Sequence, residues 1–176
     1  PNARYDVISK ITAPYRGSIY MYSSLIKHIE SFLVKNPTLQ VGLDEICAEI
    51  QQKLPNYDWV GFYFHHPQKK ELHLKAFAGK PTEHTVIPFG KGICGQVALS
   101  NQNFVVDDVS SQDNYISCSI DVKSEIVIPL FVEAKNVGQI DIDSNKACAF
   151  GQKDVVFLEA VNALVSAFIL RTNGPF

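Results

Sequence analysis

The stretch that decides the fold reads Tyr115-Ile-Ser-Cys118-Ser-Ile-Asp-Val-Lys-Ser-Glu125-Ile-Val-Ile-Pro129 and, after a turn, Val137-Gly-Gln-Ile-Asp141-Ile-Asp143-Ser144. Its two apolar runs predict two consecutive strands, and Asp141 and Asp143 alternate with isoleucine on the second. A period of two sends both aspartates to the same face of a sheet. Because neighbouring like charges repel, this face gains nothing from the pair unless a cation binds between them.

Composition narrows the class of protein. The 176 residues suffice for one domain with its own core, and 46% of them are hydrophobic. A net charge of -2 leaves no basic surface for nucleic acid or anionic lipid, and no apolar run reaches a membrane-spanning length. Four cysteines without a Cys-x-x-Cys pair indicate a reducing cytoplasm and no structural zinc site. We therefore expect no nucleic-acid partner, no membrane partner and no bound metal.

Periodicity predicts an α+β domain with a sheet of about six antiparallel strands and helices packed against it. Helical spacing predicts helices over residues 15–35 and 38–54, a short helix over 96–100 and a closing helix from Lys153. Four further strands are predicted over 59–64, 71–77, 84–87 and 103–106. We divide the chain into an N-terminal extension (1–14), one domain (15–172) and a C-terminal tail (173–176).

Two cysteines are candidates for chemistry. Cys118 stands in a loop just before a strand with Glu125 close behind, and a nucleophilic thiol needs such access; alternatively it is a loop cysteine without a role. Cys94 lies at a predicted helix start, where the helix dipole favours a thiolate, but it equally fits as a small apolar residue among glycines. Cys47 is predicted to be core, and Cys148 to be a loop residue of no consequence.

The acids give the stronger signal. Strand interiors disfavour aspartate, so Glu125, Asp141 and Asp143 favour a pocket that holds an ammonium group or delivers a proton to a substrate oxygen. The alternative is a solvated strand face or a set of turn caps. Trp59 and Tyr63 are candidate walls of an apolar slot in such a pocket, although most aromatic residues of this kind are simply core.

Five motifs, taken together, resemble the free methionine-(R)-sulfoxide reductases, which are single GAF domains. The resemblance covers about residues 15–170 and implies a six-stranded antiparallel sheet, often in a homodimer. The motifs are Trp59-Val-Gly-Phe-Tyr63, Phe89-Gly-Lys-Gly-Ile-Cys-Gly95, Ile116-Ser-Cys118, Ser124-Glu-Ile-Val-Ile-Pro129 and Gly138-Gln-Ile-Asp-Ile-Asp-Ser144.

The resemblance implies that Cys118 attacks the sulfur of free methionine sulfoxide, giving methionine and a cysteine sulfenic acid. Glu125, Asp141 and Asp143 match acids that hold the substrate's ammonium and help to protonate its oxygen, and Trp59 matches the aromatic at the substrate's methyl end. No bound cofactor is implied. The sulfenic acid must be cleared by a second thiol, so an external reductant of the thioredoxin or glutathione type is an expected partner.

The chain departs from the family pattern at two places. His84 stands where many members carry a resolving cysteine, ten positions before Cys94. The usual Gly-His-Ile-x-Cys-Asp is also altered, to Asn114-Tyr-Ile-Ser-Cys-Ser119. Three alternatives follow: Cys94 resolves Cys118, an external thiol does so, or the protein has drifted away from turnover. We favour resolution by Cys94 or by an outside reductant.

Two competing interpretations stay open. The run Asn145-Lys146…Phe150…Asp154 partly resembles cyclic-nucleotide-binding GAF domains, which would make the protein a non-enzymatic sensor. Val155 replaces the glutamate of that pattern, and an acidic pocket suits a phosphate poorly. The other interpretation is a metal site built from His84, Cys94, Cys118 and a carboxylate, which requires their loops to converge.

Overall fold

The computed structural model describes residues 16–111 and 121–172. Its helices are α1 (Arg16–Leu33), α2 (Leu39–Lys53), α3 (Gly92–Ser100) and α4 (Gln152–Thr172). Its strands are β1 (Trp59–His65), β2 (Glu71–Ala78), β3 (Val86–Pro88), β4 (Phe104–Val106), β5 (Ser124–Val132) and β6 (Lys135–Ser144). They form one sheet in the order β3-β2-β1-β6-β5-β4, with every neighbouring pair antiparallel. The predicted α+β fold and its six-stranded sheet are confirmed.

Local sequence explains how the first two helices are separated. The backbone of Asn36 adopts a left-handed conformation (φ 53°), which an asparagine tolerates, and Pro37 then prevents the helix from continuing. The side chain of Thr38 accepts a hydrogen bond from the Val41 N–H and so caps the start of α2. This short connection lets α2 fold back against α1.

Alternation along the strands gives the sheet two different faces. One face is covered by helices: α2 packs on β1 and β2, α4 packs on β5, and α1 packs against both helices. The strand residues that point into this core are mainly aliphatic and include Val60, Phe62, Ile126, Ile128, Ile140 and Ile142. Among the described α-helices only α3 crosses the opposite face, which carries a second, smaller apolar cluster.

By length and composition, α4 could cross a membrane, contrary to the expectation from the sequence that no such run exists. Half of that apolar window is buried inside the domain, and Asn162 on the same helix donates to the carbonyl oxygens of Ile128 and Pro129. The helix therefore has the contacts of a core helix that packs on β5.

The short helix α3 differs from its prediction. It begins at Gly92, four residues before the predicted start. The glycines that indicated a loop are part of the helix, where the lack of a side chain allows close packing against the preceding turn. A Cβ on Gly95 would lie 2.5 Å from the carbonyl oxygen of Pro88. Gly92 itself has a φ of 61°, a conformation that favours glycine. As a result, Cys94 lies in the first turn of the helix rather than before it.

Candidate functional site

The three acids lie side by side on the sheet face that α3 crosses. Glu125 on β5 is paired with Asp143 on β6, and Asp143 is paired in turn with Trp59 on β1. Asp141 lies two residues along β6 on the same face, paired with Gly61. These residues are 4% (Glu125), 1% (Asp143) and 0% (Asp141) exposed. This burial excludes the solvated strand face that the sequence left open.

Cys94 reaches these acids from the first turn of α3. Its thiol donates a hydrogen bond to Oδ2 of Asp141 over 3.2 Å. One sulfur and two carboxylate oxygens, from Cys94, Asp141 and Glu125, lie within 4.8 Å of one another. We call the region formed by Cys94, Glu125, Asp141 and Asp143 the acid cup. The prediction that Cys94 is merely space-filling does not account for this contact.

Burial dominates the electrostatics of the acid cup. It raises the pKa of Glu125 well above its ordinary value, and repulsion from Asp141 and Asp143 raises it further. Burial also raises the pKa of Asp141 to about 7, although the hydrogen bond from Cys94 opposes this. Burial and its acidic neighbours therefore favour the protonated form of Glu125, while a pKa of about 7 leaves Asp141 divided between its two forms near neutral pH.

Glu125 and Asp141 have little compensation for negative charge from the described residues. No Lys, Arg or His in residues 16–111 and 121–172 forms an ion pair with Glu125 or Asp141. Oδ1 of Asp141 has no hydrogen-bond partner in the same ranges. Because a buried acceptor without a partner is costly, the site suits a small cationic group with N–H donors.

Aromatic side chains border the same face. The ring of Trp59 stacks on Phe77 (5.9 Å between centroids, 15° between planes), and its Nε1–H donates to the carbonyl oxygen of Lys80 over 3.1 Å. Tyr63 lies 6.3 Å from Trp59 between ring centroids, and its hydroxyl donates to the carbonyl oxygen of His84. These contacts fix an apolar wall beside the acids.

Gly61 and Gln139 were missed from the sequence. A Cβ on Gly61 would overlap the indole of Trp59, so glycine is what allows that ring to lie across β1. Its position inside an apolar strand was the available signal, since glycine in a strand interior often marks a close approach. Gln139 precedes Asp141 by two residues and so shares its face, which alternation along β6 would have shown.

Several predicted residues lie elsewhere. Cys118 falls outside the described residues, so its role as nucleophile stays a prediction. His84 is not part of the cluster formed by Cys94, Glu125 and Asp141. Cys47 is fully buried in the core, as predicted, and burial raises the pKa of its thiol. Cys148 is exposed in a loop.

The residues that resembled a cyclic-nucleotide signature have structural roles. Oδ1 of Asp154 accepts hydrogen bonds from the hydroxyls of Tyr22 and Tyr57, at 2.5 and 2.9 Å, on the helical side of the sheet. Phe150 packs edge-on against Tyr57, at 5.5 Å between ring centroids. The side chain of Asp154 is therefore committed to the core, which weakens the interpretation as a nucleotide sensor.

A groove of about 600 Å³ lies away from the acid cup, between α4 and β5. Its walls include Asn103, Phe131, Asn162 and Leu170, with Glu159 as its only titratable lining residue in the described ranges. Its lining therefore lacks the combination of thiol and carboxylates found in the acid cup.

Comparisons with known proteins agree with this geometry. The family model described as GAF domain matches residues 37–169. GAF domain-containing protein A of Dictyostelium discoideum is 33% identical over 82% of this chain and 89% of its own length.

Two solved reductases share the fold. The free methionine-R-sulfoxide reductase of Neisseria meningitidis, in complex with its substrate, has a TM-score of 0.83 and 29% identity over 92% of this chain and 95% of its own. The type II free methionine-R-sulfoxide reductase of Thermoplasma acidophilum has a TM-score of 0.71 and 32% identity over 81% of this chain and 96% of its own. The chain belongs to the GAF domain family and, within it, to the free methionine-R-sulfoxide reductase family.

Proposed function

We propose that this protein reduces free methionine-(R)-sulfoxide to methionine by means of a cysteine nucleophile. The observation that carries the proposal is the acid cup, where Glu125 and Asp141 are buried without a cationic partner in the described ranges and Cys94 contacts Asp141. The substrate class is supported by the solved relatives named as free methionine-R-sulfoxide reductases.

The acid cup suits a free amino acid better than a residue within a protein chain. Its carboxylates attract an α-ammonium group, and the low dielectric of the buried site strengthens that attraction. A peptide nitrogen carries no positive charge and would leave the same carboxylates uncompensated. The aromatic wall of Trp59 and Tyr63 then borders the apolar methyl end of the bound amino acid.

The reaction needs a nucleophile and a proton donor. Cys118 attacks the sulfoxide sulfur, while Glu125, whose raised pKa favours its protonated form, donates its proton to the sulfoxide oxygen with Asp143 beside it. The oxygen passes to the cysteine, which becomes a sulfenic acid as the substrate is reduced by two electrons to methionine. No bound cofactor is needed, because the thiol supplies both electrons.

Recycling then uses a second thiol. The thiol of Cys94 attacks the sulfenic sulfur of Cys118, releasing water and leaving a disulfide. An external thiol reductant of the thioredoxin or glutathione type reduces this disulfide and restores both cysteines. With His84 at the place of the family's resolving cysteine, Cys94 or the external thiol itself takes that role. Homodimer formation and a cytoplasmic location belong to the same proposal.

Cysteine variants test the proposal. Methionine formation from methionine-(R)-sulfoxide and dithiothreitol is expected in wild type and in Cys148→Ser, an exposed control, and is expected to be lost in Cys118→Ser. Cys94→Ser should keep activity with dithiothreitol, which reduces a sulfenic acid directly; with thioredoxin, loss of activity would assign resolution to Cys94 and retained activity would assign it to the external thiol. Activity that persists in Cys118→Ser but is lost in Cys94→Ser would contradict the assignment and exchange the two roles.

A further inference from the structure

The acid cup also has the donor set of a metal site. Cys94, Glu125 and Asp141 provide one sulfur and two oxygens within 4.8 Å of one another, and all three residues are buried. Tetrahedral zinc with bonds of about 2.0–2.3 Å places its ligand atoms about 3.3–3.8 Å apart. The 3.2 Å between Sγ of Cys94 and Oδ2 of Asp141 is already close to this range. A shift of about 1 Å in a carboxylate oxygen would bring the third ligand into the same range.

Partnerless polar atoms beside this cluster are a second observation. Oδ1 of Asp141 accepts no hydrogen bond from any described residue. Gln139, on the same face of β6 and 0% exposed, has neither amide atom hydrogen-bonded within the described ranges. Buried polar atoms without partners are rare in folded proteins, and here one belongs to an acid of the cluster while the others lie two residues away on the same face of β6. Together they indicate a site for a positively charged ligand.

The sulfur decides between classes of cation. An ammonium ion is satisfied by oxygen acceptors alone, and Mg²⁺ and Ca²⁺ prefer ligand sets made only of oxygen. A thiolate beside two carboxylates instead favours a thiophilic divalent cation such as Zn²⁺ or Cd²⁺. Metal binding would release the thiol proton of Cys94 and any carboxyl proton to solvent, so that the ligands become anionic.

We propose that Cys94, Glu125 and Asp141 bind a thiophilic divalent cation of the Zn²⁺ class, which competes with an amino-acid ammonium for the acid cup. This site differs from the one considered from the sequence, since His84 is not part of the cluster. The proposal does not rest on the reductase reaction, because metal binding can be measured without turnover. A bound cation would block both the thiol and the carboxylates and would therefore act as an inhibitor.

Cadmium titration of the reduced full-length protein tests the site. A thiolate-to-cadmium charge-transfer band in the ultraviolet is expected to saturate at one Cd²⁺ per chain and to be reversed by EDTA. Cys148→Ser, which removes an exposed thiol, should leave the band unchanged. Cys94→Ser should abolish it, and Glu125→Gln should weaken Cd²⁺ binding at least about tenfold. A large excess of Mg²⁺ should not displace the Cd²⁺.

Two outcomes would overturn the proposal. One is a band of wild-type strength in Cys94→Ser, and the other is a band that depends on Cys118 or Cys148 but not on Cys94. Circular dichroism establishes that each variant is folded. If Cys94→Ser fails to fold, Asp141→Asn, which preserves the shape of the side chain, provides the same test, and undiminished Cd²⁺ binding by that variant would equally refute the site.

Discussion

Replacing Asp141 by asparagine should make the protein more stable at pH 8 while impairing its site. Burial raises the pKa of Asp141 from 3.8 to about 7, so the folded protein keeps this proton at pH values where the unfolded chain has lost it. The free energy of unfolding therefore falls as the pH rises from about 4 to about 7, and the loss is complete above that range.

The magnitude follows from the same pKa. About three pH units at roughly 1.4 kcal/mol each give a loss on the order of 4 kcal/mol, a large fraction of the about 5–15 kcal/mol that stabilises a typical domain. Asparagine keeps the size of the side chain, and its carbonyl oxygen can still accept the hydrogen bond from Cys94. The substitution also removes one source of the repulsion that raises the pKa of Glu125.

Guanidinium denaturation between pH 4 and pH 8.5, followed by circular dichroism, measures this effect. The Asn variant should match wild type near pH 4 and exceed its free energy of unfolding by up to about 4 kcal/mol at pH 8. Asp107→Asn, which removes an exposed carboxylate, should have a smaller effect. An Asn variant that is less stable than wild type at pH 8, with the same dependence on pH, would refute the claim that burial of this charge destabilises the fold.

Three further substitutions or modifications test other parts of the structure. Gly61→Ala should displace the ring of Trp59, change the fluorescence of this sole tryptophan and weaken ligand binding. Gly151→Ala is the control, because a Cβ at that position meets nothing within 4 Å. Equal fluorescence in the two variants would contradict the packing of Trp59 on Gly61. Asp154→Ala loses three hydrogen bonds and should destabilise the fold by about 3 kcal/mol or more in denaturation, whereas a loss below about 1 kcal/mol would contradict their role. Because burial raises the pKa of its thiol, Cys47 should react with a disulfide reagent only on unfolding, as peptide mapping would show; rapid labelling of the native protein would contradict this.

Strand alternation predicted much of this arrangement, since it is a local property. Asp141 and Asp143 share a face because every second residue of a strand does so, and helical spacing likewise placed α1, α2 and α4. The contact between Cys94 and Asp141 joins residues 47 positions apart and depends on how α3 packs, which no local pattern contains.

Two other features show the same limit. Glycine indicated a loop before residue 96, yet Gly95 is needed because α3 presses against the carbonyl oxygen of Pro88. Asp154 resembled part of a nucleotide signature, but its partners Tyr22 and Tyr57 are 132 and 97 residues away. Local pattern therefore predicted which residues face the site, whereas tertiary packing decided which of them touch.

The central claim is that buried carboxylates hold an amino acid by its ammonium group. Isothermal titration of the reduced protein with methionine-(R)-sulfoxide and with its N-acetyl derivative tests this most directly, because acetylation removes the positive charge and keeps the rest of the ligand. Binding of the free amino acid, with affinity for the acetylated form lower by at least about a hundredfold, is predicted from loss of a buried charge pair. Equal affinity for the two ligands would contradict it.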